Sequence, residues 1–158
     1  MMPVYISVQG HKRIVDEYNF LLKTERPRIT ADVAHAASLG DRSENAEYLY
    51  GKKRLREIDK RLHFLQKRLE ILTPVDPASF TGTVIRFGAE VTFLTEEGEE
   101  QTWTILGEDE VDTDKRILSY VSPIGRALLG KDIGDTVRFT TPKGEREVEV
   151  VKVTYPRS

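Results

Sequence analysis

The sequence predicts an α+β protein in which an N-terminal antiparallel α-helical hairpin precedes a small, mostly antiparallel sheet with one short helix. Apolar residues recur at heptad spacing in the first half of the chain. Pro74 and Pro77 end that pattern, and β-branched and aromatic residues become frequent after them. We therefore expect a coiled-coil hairpin domain over residues 1–75 and a sheet domain over residues 76–158.

Two periodic apolar runs define the helices of the hairpin. One run has steps of three and four residues, as in a coiled-coil seam, and comprises Leu55, Ile58, Leu62, Leu65, Leu69 and Leu72. Its expected partner comprises Ile14, Tyr18, Leu21, Ile29, Val33 and Ala36 or Ala37. Ser7 is the predicted N-cap of the first helix. Pro27 predicts a kink rather than a stop, because the periodicity resumes at Ile29.

A short connection joins the two helices. Gly40 has the residue type expected just past a helix C-terminus, and residues 39–44 leave room only for a tight reversal. Two helices can bury only their mutual seam, so we expect the hairpin to protrude as a reaching arm.

The second half alternates strand-like and turn-like segments. Strands are predicted at residues 82–87, 89–95, 101–106, 117–121, 136–141 and 147–155. Turns are predicted at 96–99 and 142–144 because both contain glycine. A short helix is predicted from Ile124 to Leu129, with Pro123 in its first turn.

Composition excludes several classes of function. The chain has no cysteine, which rules out disulfides, thiolate metal sites and cysteine nucleophiles. It has neither an apolar run of about 18 residues nor a signal-peptide pattern, so we expect a cytoplasmic protein with no membrane partner. Residues 1–74 carry 14 Lys/Arg against 10 Asp/Glu, and residues 75–158 carry 10 against 16. This opposite balance suggests two partners, and neither half is basic enough for a dedicated duplex-DNA binder.

Asp41 and Glu44 are the first candidates for chemistry. Two carboxylates three residues apart at a helix start can share a divalent cation, and Mg²⁺ typically takes one or two carboxylates together with water and phosphate. The same spacing also matches a capping box, with Asp41 as N-cap and Glu44 reaching back, and on spacing alone the capping box is the commoner arrangement. The two interpretations are compatible with each other.

A basic run follows on the same predicted helix. Its members at compatible helical phase are Lys52, Lys53, Arg56 and Lys60. They form either a solvated flank of the coiled coil or a surface that follows phosphates. Tyr48 and Tyr50 nearby can stack on a base or cover the seam. No Ser/His/Asp arrangement, histidine cluster or glycine-rich phosphate loop is visible in the sequence, so we expect no complete active site within this chain.

Two longer motifs carry a resemblance to a known family. Residues 39–48 read LGDRSENAEY, and residues 119–131 read SYVSPIGRALLGK and continue to Gly134-Asp135. Together they resemble the hairpin motif and the C-terminal signature of the GreA/GreB transcript-cleavage factors, and the run from residue 52 to residue 59 is more similar to the GreB branch. The resemblance covers nearly the whole chain and implies a coiled coil followed by a domain of FKBP-like fold.

The resemblance implies bacterial RNA polymerase as the partner and a monomeric state. The sheet domain is expected to dock on the β′ subunit at the rim of the secondary channel, and the hairpin to enter that channel. Asp41 and Glu44 would help polymerase aspartates hold the second catalytic Mg²⁺, and the chain would have no cofactor of its own.

The resemblance also assigns supporting roles. The basic residues Lys52, Lys53, Arg56 and Lys60 would contact the 3′ end of nascent RNA, and the expected positioning residues near the acids are Ser43, Asn45 and Tyr48. The expected docking residues are Asp112, Ile117, Ser119, Ser122 and Pro123.

The predicted function is stimulation of RNA cleavage by the polymerase in backtracked complexes, without nuclease activity of the chain's own. Two alternatives remain open at this point. The chain can be a channel-binding inhibitor without cleavage activity, or its FKBP-like domain can be a prolyl isomerase with an aromatic-lined pocket.

Overall fold

The computed structural model describes residues 3–40 and 45–157, which form two compact units. Residues 11–72 form the hairpin unit, and the residues before His11 join those from Thr73 onward in the sheet unit. The predicted α+β class, with a helical hairpin preceding a mostly antiparallel sheet, is confirmed. None of the described helices combines the length and the apolar character needed to cross a bilayer.

The first arm of the hairpin is helical without interruption. It consists of α1 (Val8–Phe20), a π-helical turn (Leu21–Glu25) and α2 (Arg26–Ser38). The π turn is closed by a hydrogen bond from the backbone N–H of Arg26 to the carbonyl oxygen of Leu21. Pro27 lies in the first turn of α2, directly after the π turn, and the helix does not stop there, as predicted.

The second arm, α3 (Ala46–Ile71), contributes the predicted seam. Its 26 residues correspond to a length of about 39 Å. The buried cluster between the arms comprises Leu21, Ile29, Ile58, Leu62 and Leu65, with Ile14, Tyr18, Val33 and Leu55 packed against it. Buried Gly51 lets the arms approach closely, since a Cβ there would lie 2.4 Å from Cγ2 of Val33.

Three arginines form ion pairs across the hairpin. The donor–acceptor distances are 2.7 Å for Arg26–Asp59, 2.8 Å for Arg54–Glu25 and 2.6 Å for Arg61–Glu17. Each pair joins the first arm to α3, so these charges set the pairing of the two arms. Arg26–Asp59 and Arg61–Glu17 are about half exposed, so each contributes modestly to stability, whereas the Glu25 carboxylate of the third pair is more buried.

The sheet unit contains a five-stranded sheet of order β5-β4-β3-β7-β6. Its strands are β3 (Glu90–Leu94), β4 (Glu100–Leu106), β5 (Ile117–Ser119), β6 (Thr136–Thr141) and β7 (Gly144–Thr154). All neighbours are antiparallel except β4 and β5. The short helix α4 (Pro123–Leu128) packs near β6. The core comprises Ile85, Ala89, Val91, Phe93, Ile105, Leu118, Leu128, Val137, Val148, Val150 and Val153.

A short two-stranded sheet of β1 (Val4–Ser7) and β2 (Leu72–Val75) completes the structure. The buried carboxylate of Glu110 accepts hydrogen bonds from the backbone N–H groups of Ser7 at 3.0 Å and Gly107 at 2.8 Å, and also from the Ser7 hydroxyl. The Ser7 hydroxyl oxygen accepts from the N–H of Gly10 at 3.0 Å, which confirms the predicted N-cap. These bonds attach the N-terminal segment to the sheet unit, so the division differs from the expected boundaries of 1–75 and 76–158.

One predicted strand is absent. Residues 82–87 are irregular, and only Ile85 makes ladder-like bonds, each 2.8 Å long, to the backbone of Gly130 and Lys131. The hydroxyl of Tyr155 satisfies the neighbouring backbone groups of Val84 and Arg86. The strand prediction was wrong here because a tyrosine side chain takes the place of a neighbouring strand.

Candidate functional site

The predicted acidic pair, Asp41 and Glu44, lies outside the described residues, and so does Ser43. The structure describes what holds both ends of this segment, which we call the tip segment (residues 41–44). The backbone N–H of Leu39 donates to the carbonyl oxygen of Ala36 at 3.2 Å as α2 ends. Gly40 follows with a φ of 124°, so the predicted glycine stop is confirmed.

Asn45, the first described residue after the tip segment, bonds to both helices of the hairpin. Its side-chain oxygen accepts a hydrogen bond from the N–H of Tyr48 at 3.1 Å, which makes Asn45 the N-cap of α3. Its side-chain N–H donates to the carbonyl oxygen of Ala36 at 2.8 Å, across the hairpin. The predicted capping box of Asp41 and Glu44 falls on the tip segment and so lies outside the described residues, whereas the described cap of α3 is Asn45.

The Lys and Arg residues of α3 between positions 52 and 61 fall into two groups. Lys52, Lys53, Arg56 and Lys60, which we call the basic stripe, are all exposed. At 3.6 residues per turn they lie within about 100° of one another, on the side of α3 opposite its buried residues. No member forms an ion pair with a described acidic side chain, whereas Arg54 and Arg61 are paired with the first arm. Among the described residues, the four positive charges of the stripe are therefore not used to pair the two arms of the hairpin.

Apolar side chains flank the basic stripe on the side of the tip segment. Leu49 lies one turn before Lys52 and Lys53 on the same face, and 52% of its surface is exposed. Tyr50 is 69% exposed and lines a separate groove between α2 and α3, whereas the side chain of Tyr48 is half-buried. Of the two tyrosines, Tyr50 is thus the one available to stack on a base.

The loop after β5 is built by its own hydroxyl groups. Ser122 caps α4 by accepting from the N–H of Gly125 at 3.1 Å, and it donates to the carbonyl oxygen of Ser119 at 2.7 Å. The Ser119 hydroxyl accepts from the N–H of Val121 at 3.1 Å. These bonds fix a tight turn and leave Pro123 exposed at the start of α4.

The carboxylate of Asp112 is also used locally. It accepts from the N–H groups of Asp114 at 3.1 Å and Lys115 at 3.3 Å, and so shapes the turn before β5. Asp112 and Ile117 pair as an antiparallel bridge at the base of that turn. The expected docking residues thus lie in the turn before β5, on β5 and at the start of α4, and their polar side chains order the backbone.

An apolar groove of about 480 Å³ lies beside these loops within the sheet unit. Its apolar lining includes Phe93, Trp103, Val111, Ile117, Ile124 and Phe139. Ser119 and Ser122 also line it, whereas Asp112 and Pro123 do not. Glu96, Glu97 and Glu147 contribute negative charge to it, against one Arg146. The groove suits a partner segment with an apolar face and basic flanks.

The side chains of His, Asp and Glu across residues 3–40 and 45–157 include no group of three placed to hold a metal ion. A Mg²⁺ role therefore has to be tested on the tip segment and a partner. The oxygen donors of Asp41 and Glu44 are of the type that Mg²⁺ prefers.

Comparisons with known proteins agree with both units. Residues 4–73 match the family model described as transcription elongation factor, N-terminal, and residues 81–155 match transcription elongation factor, GreA/GreB, C-term. The chain belongs to the GreA/GreB family. The resemblance identified from the two sequence motifs is confirmed.

Several curated relatives of this Gre-family chain are described as transcription elongation factor GreB. The Pasteurella multocida protein is 50% identical over 153 residues, which cover 97% of each chain. The Haemophilus influenzae protein is 48% identical with the same coverage, and the Yersinia pestis protein is 45% identical over 96% of this chain and 88% of its own. The chain is thus a Gre-type elongation factor.

Two solved structures also align along the chain. GreA factor homolog 1 (Gfh1) of Thermus thermophilus is 23% identical with a TM-score of 0.44, covering 97% of this chain and 99% of its own. A GreA/GreB factor from Nitrosomonas europaea is 25% identical with a TM-score of 0.42, covering 96% and 99%.

Sequence reasoning missed two features of these surfaces. It did not identify Trp103 and Phe139, which pack against the core, as residues that also line a groove. It also missed the bond from Asn45 to Ala36, because nothing in the sequence shows which carbonyl an asparagine will reach. The alternation of Trp103 with polar neighbours on its strand was the available signal for a partly exposed ring.

Proposed function

We propose that this Gre-family chain binds bacterial RNA polymerase through its sheet unit, extends its hairpin into the secondary channel, and stimulates cleavage of the 3′ end of backtracked RNA. The proposal rests on the arrangement at the start of α3. There, Asn45 bonds to both helices directly after the segment that carries two carboxylates, and a basic stripe with no ion pair to a described acidic side chain begins two turns further along the same helix.

The acids would act as ligands lent to the polymerase. When bound, a second Mg²⁺ in a two-metal site supplies an activated water and a stabilised leaving oxygen. Asp41 and Glu44 would offer carboxylate oxygens to that site, and Asn45 would limit where the tip segment can carry them. The chain itself would then be no nuclease, and its effect would require polymerase.

The basic stripe would hold the extruded RNA. Lys52, Arg56 and Lys60 follow one another at four-residue steps, about 6 Å of helix rise each, so they can contact successive phosphates of a single strand. Leu49 would provide an apolar contact for a base at the end nearest the acids. Because the four cations have no acidic partner among described residues, binding RNA would break no ion pair of the fold.

The groove of the sheet unit would provide the docking surface. Ile117, Ser119 and Ser122 line it directly, while Asp112 would act by ordering its loop and Pro123 by remaining exposed at the start of α4. Apolar contact at the centre and charge at the edge is a common division in protein interfaces. Docking and cleavage would therefore depend on residues in different units.

The decisive experiment separates cleavage from binding. Asp41→Asn and Glu44→Gln remove a charge with little change of shape, and each variant is assayed for cleavage of a defined backtracked RNA and for affinity to polymerase. We expect cleavage to fall at least about tenfold with affinity unchanged, as for an interaction made mainly in the transition state. Near-normal cleavage by both variants would rule the mechanism out.

The basic stripe is tested with a matched control on the same helix. The triple change Lys52→Gln, Lys53→Gln and Arg56→Gln should reduce cleavage most in complexes that extrude several nucleotides, and the reduction should shrink at high salt. Arg61→Gln removes one positive charge from another face, where Glu17 already pairs with it. An equal loss for Arg61→Gln would show that general charge, rather than the stripe, is responsible.

The two alternative functions, channel-binding inhibitor and prolyl isomerase, are distinguished by the direction of the effect on RNA polymerase and by the substrate. An inhibitor would slow RNA synthesis and would not accelerate cleavage of backtracked RNA at any Mg²⁺ concentration. A prolyl isomerase would use the aromatic rings of the groove, Phe93, Trp103 and Phe139, and would accelerate isomerisation of a proline peptide without polymerase. Cleavage stimulation without isomerase activity is the result we expect.

A further inference from the structure

The groove of the sheet unit contains a tryptophan whose ring is held by two neighbours. Trp103 is the only tryptophan in the chain, and it is half-buried on β4. Its indole N–H donates to the side-chain oxygen of Gln101 at 3.0 Å. The guanidinium of Arg116 lies over its ring, 5.2 Å from the centroid.

Arg116 occupies a position where glycine is the usual residue. Its φ is 56°, and it is the one non-glycine residue with a positive φ among those described. The turn requires this conformation, since the N–H of Arg116 bonds to the carbonyl oxygen of Thr113 at 3.2 Å and Ile117 bonds back to Asp112 at 2.9 Å. An arginine there accepts backbone strain that glycine would avoid.

The backbone also places Arg116 next to the tryptophan. The N–H of Thr104, which follows Trp103 on β4, donates to the carbonyl oxygen of Arg116 at 2.9 Å. The strained backbone is therefore tied to the strand that carries the ring, and the side chain returns over that ring. Arg116 itself does not line the groove, whereas Trp103 and the adjacent Ile117 do.

We propose that Trp103 is a principal contact for the polymerase segment that occupies the groove, and that Arg116 is a positioning residue that holds its ring for that contact. The inference rests on the docking role proposed above. A large ring with few rotatable bonds, already held in place, loses little freedom on binding, and such residues often dominate interface energies. The backbone strain at Arg116 then has a functional reason. A glycine there would relieve the strain, but the Trp103 ring would lose the guanidinium that holds it.

The test uses Arg116→Gly and Arg116→Ala in the full chain. The glycine variant removes both the guanidinium and the backbone strain, and the alanine variant removes the guanidinium alone. In the free protein we expect stronger acrylamide quenching of Trp103 fluorescence in both. Affinity for RNA polymerase should fall about two- to fivefold in both variants, the range expected for an exposed cation–π contact. Thermal unfolding should show that the glycine variant is no less stable than the alanine variant.

A double-mutant cycle distinguishes positioning from a direct contact by Arg116. Trp103→Ala should weaken polymerase binding about thirtyfold, as for an interface hot spot, and adding Arg116→Gly should weaken it no further. If Trp103→Ala prevents folding, Trp103→Leu takes its place. Unchanged quenching, unchanged affinity of the Arg116 variants, or additive losses in the double variant would each overturn the proposal. Failure of the wild-type chain to bind polymerase would instead refute the docking role itself.

Discussion

Substitutions of Asn45 should separate the folding of the hairpin from the function of the tip segment. Its oxygen caps α3, and its side-chain N–H holds the last turn of α2 through Ala36. Loss of an N-cap costs about 1 kcal/mol, and loss of one hydrogen bond costs about 1 kcal/mol. Asn45→Ala should therefore destabilise the hairpin by about 2 kcal/mol. Asn45→Ser keeps a capping oxygen but cannot reach Ala36, and it should cost about 1 kcal/mol.

The cleavage rate should depend on the hydrogen bond from Asn45 to Ala36 in particular, rather than on the cap of α3. If that bond restricts the tip segment, its loss should lower cleavage by up to about fivefold, the equivalent of 1 kcal/mol. The fall should be similar for Asn45→Ser and Asn45→Ala, while polymerase affinity stays constant. The rates are measured on one backtracked complex over a range of Mg²⁺ concentrations, with unfolding curves for each variant. Wild-type cleavage by a stably folded Asn45→Ser variant would refute the reasoning.

Two further predictions concern the hairpin. Gly51→Ala should lower the melting temperature, because the new Cβ would lie 2.4 Å from the stiff side chain of Val33, and overpacking by about 1–3 kcal/mol exceeds the gain of about 1 kcal/mol in helix propensity. Val33→Ala should rescue it, and a higher melting temperature for Gly51→Ala alone would contradict the packing argument. The Arg61 guanidinium lowers the pKa of Glu17 below its ordinary value of 4.5. The stability from this pair should thus be present above pH 4.5 and be lost as pH falls through the lowered pKa. In Glu17→Gln, acid unfolding followed by circular dichroism should lack this contribution. An acid transition identical to that of the wild type would argue against a role of the pair in stability.

Elements with a strong local pattern were predictable from the sequence. The seam of α3 repeats at heptad spacing, and Ile58, Leu62 and Leu65 are buried as expected. Strand β6 has the predicted bounds of 136–141, because its alternating side chains are followed directly by the turn residues Pro142 and Gly144. The glycine stop at Gly40 depends on a single residue type and was equally visible.

Features that depend on distant partners were not predictable. Glu110 bonds to Ser7 across 103 positions of sequence, and this contact places the N-terminal segment in the sheet unit. Tyr155 satisfies backbone groups at Val84 and Arg86, so a segment with strand-like composition forms no strand. The groove beside Trp103 likewise depends on how separate strands and loops meet.

The π-helical turn changes the helical phase of the first arm. Leu21 and Ile29 are eight residues apart, and in an uninterrupted α-helix they would point about 80° away from each other. The wider turn at Leu21–Glu25 absorbs one residue, which leaves the equivalent of a seven-residue heptad, and both side chains reach the same buried cluster. The π turn therefore keeps the apolar side chains before and after it on the same face of the first arm. Without it, everything downstream on that arm, including the carbonyl of Ala36 that receives Asn45, would be rotated out of alignment with α3.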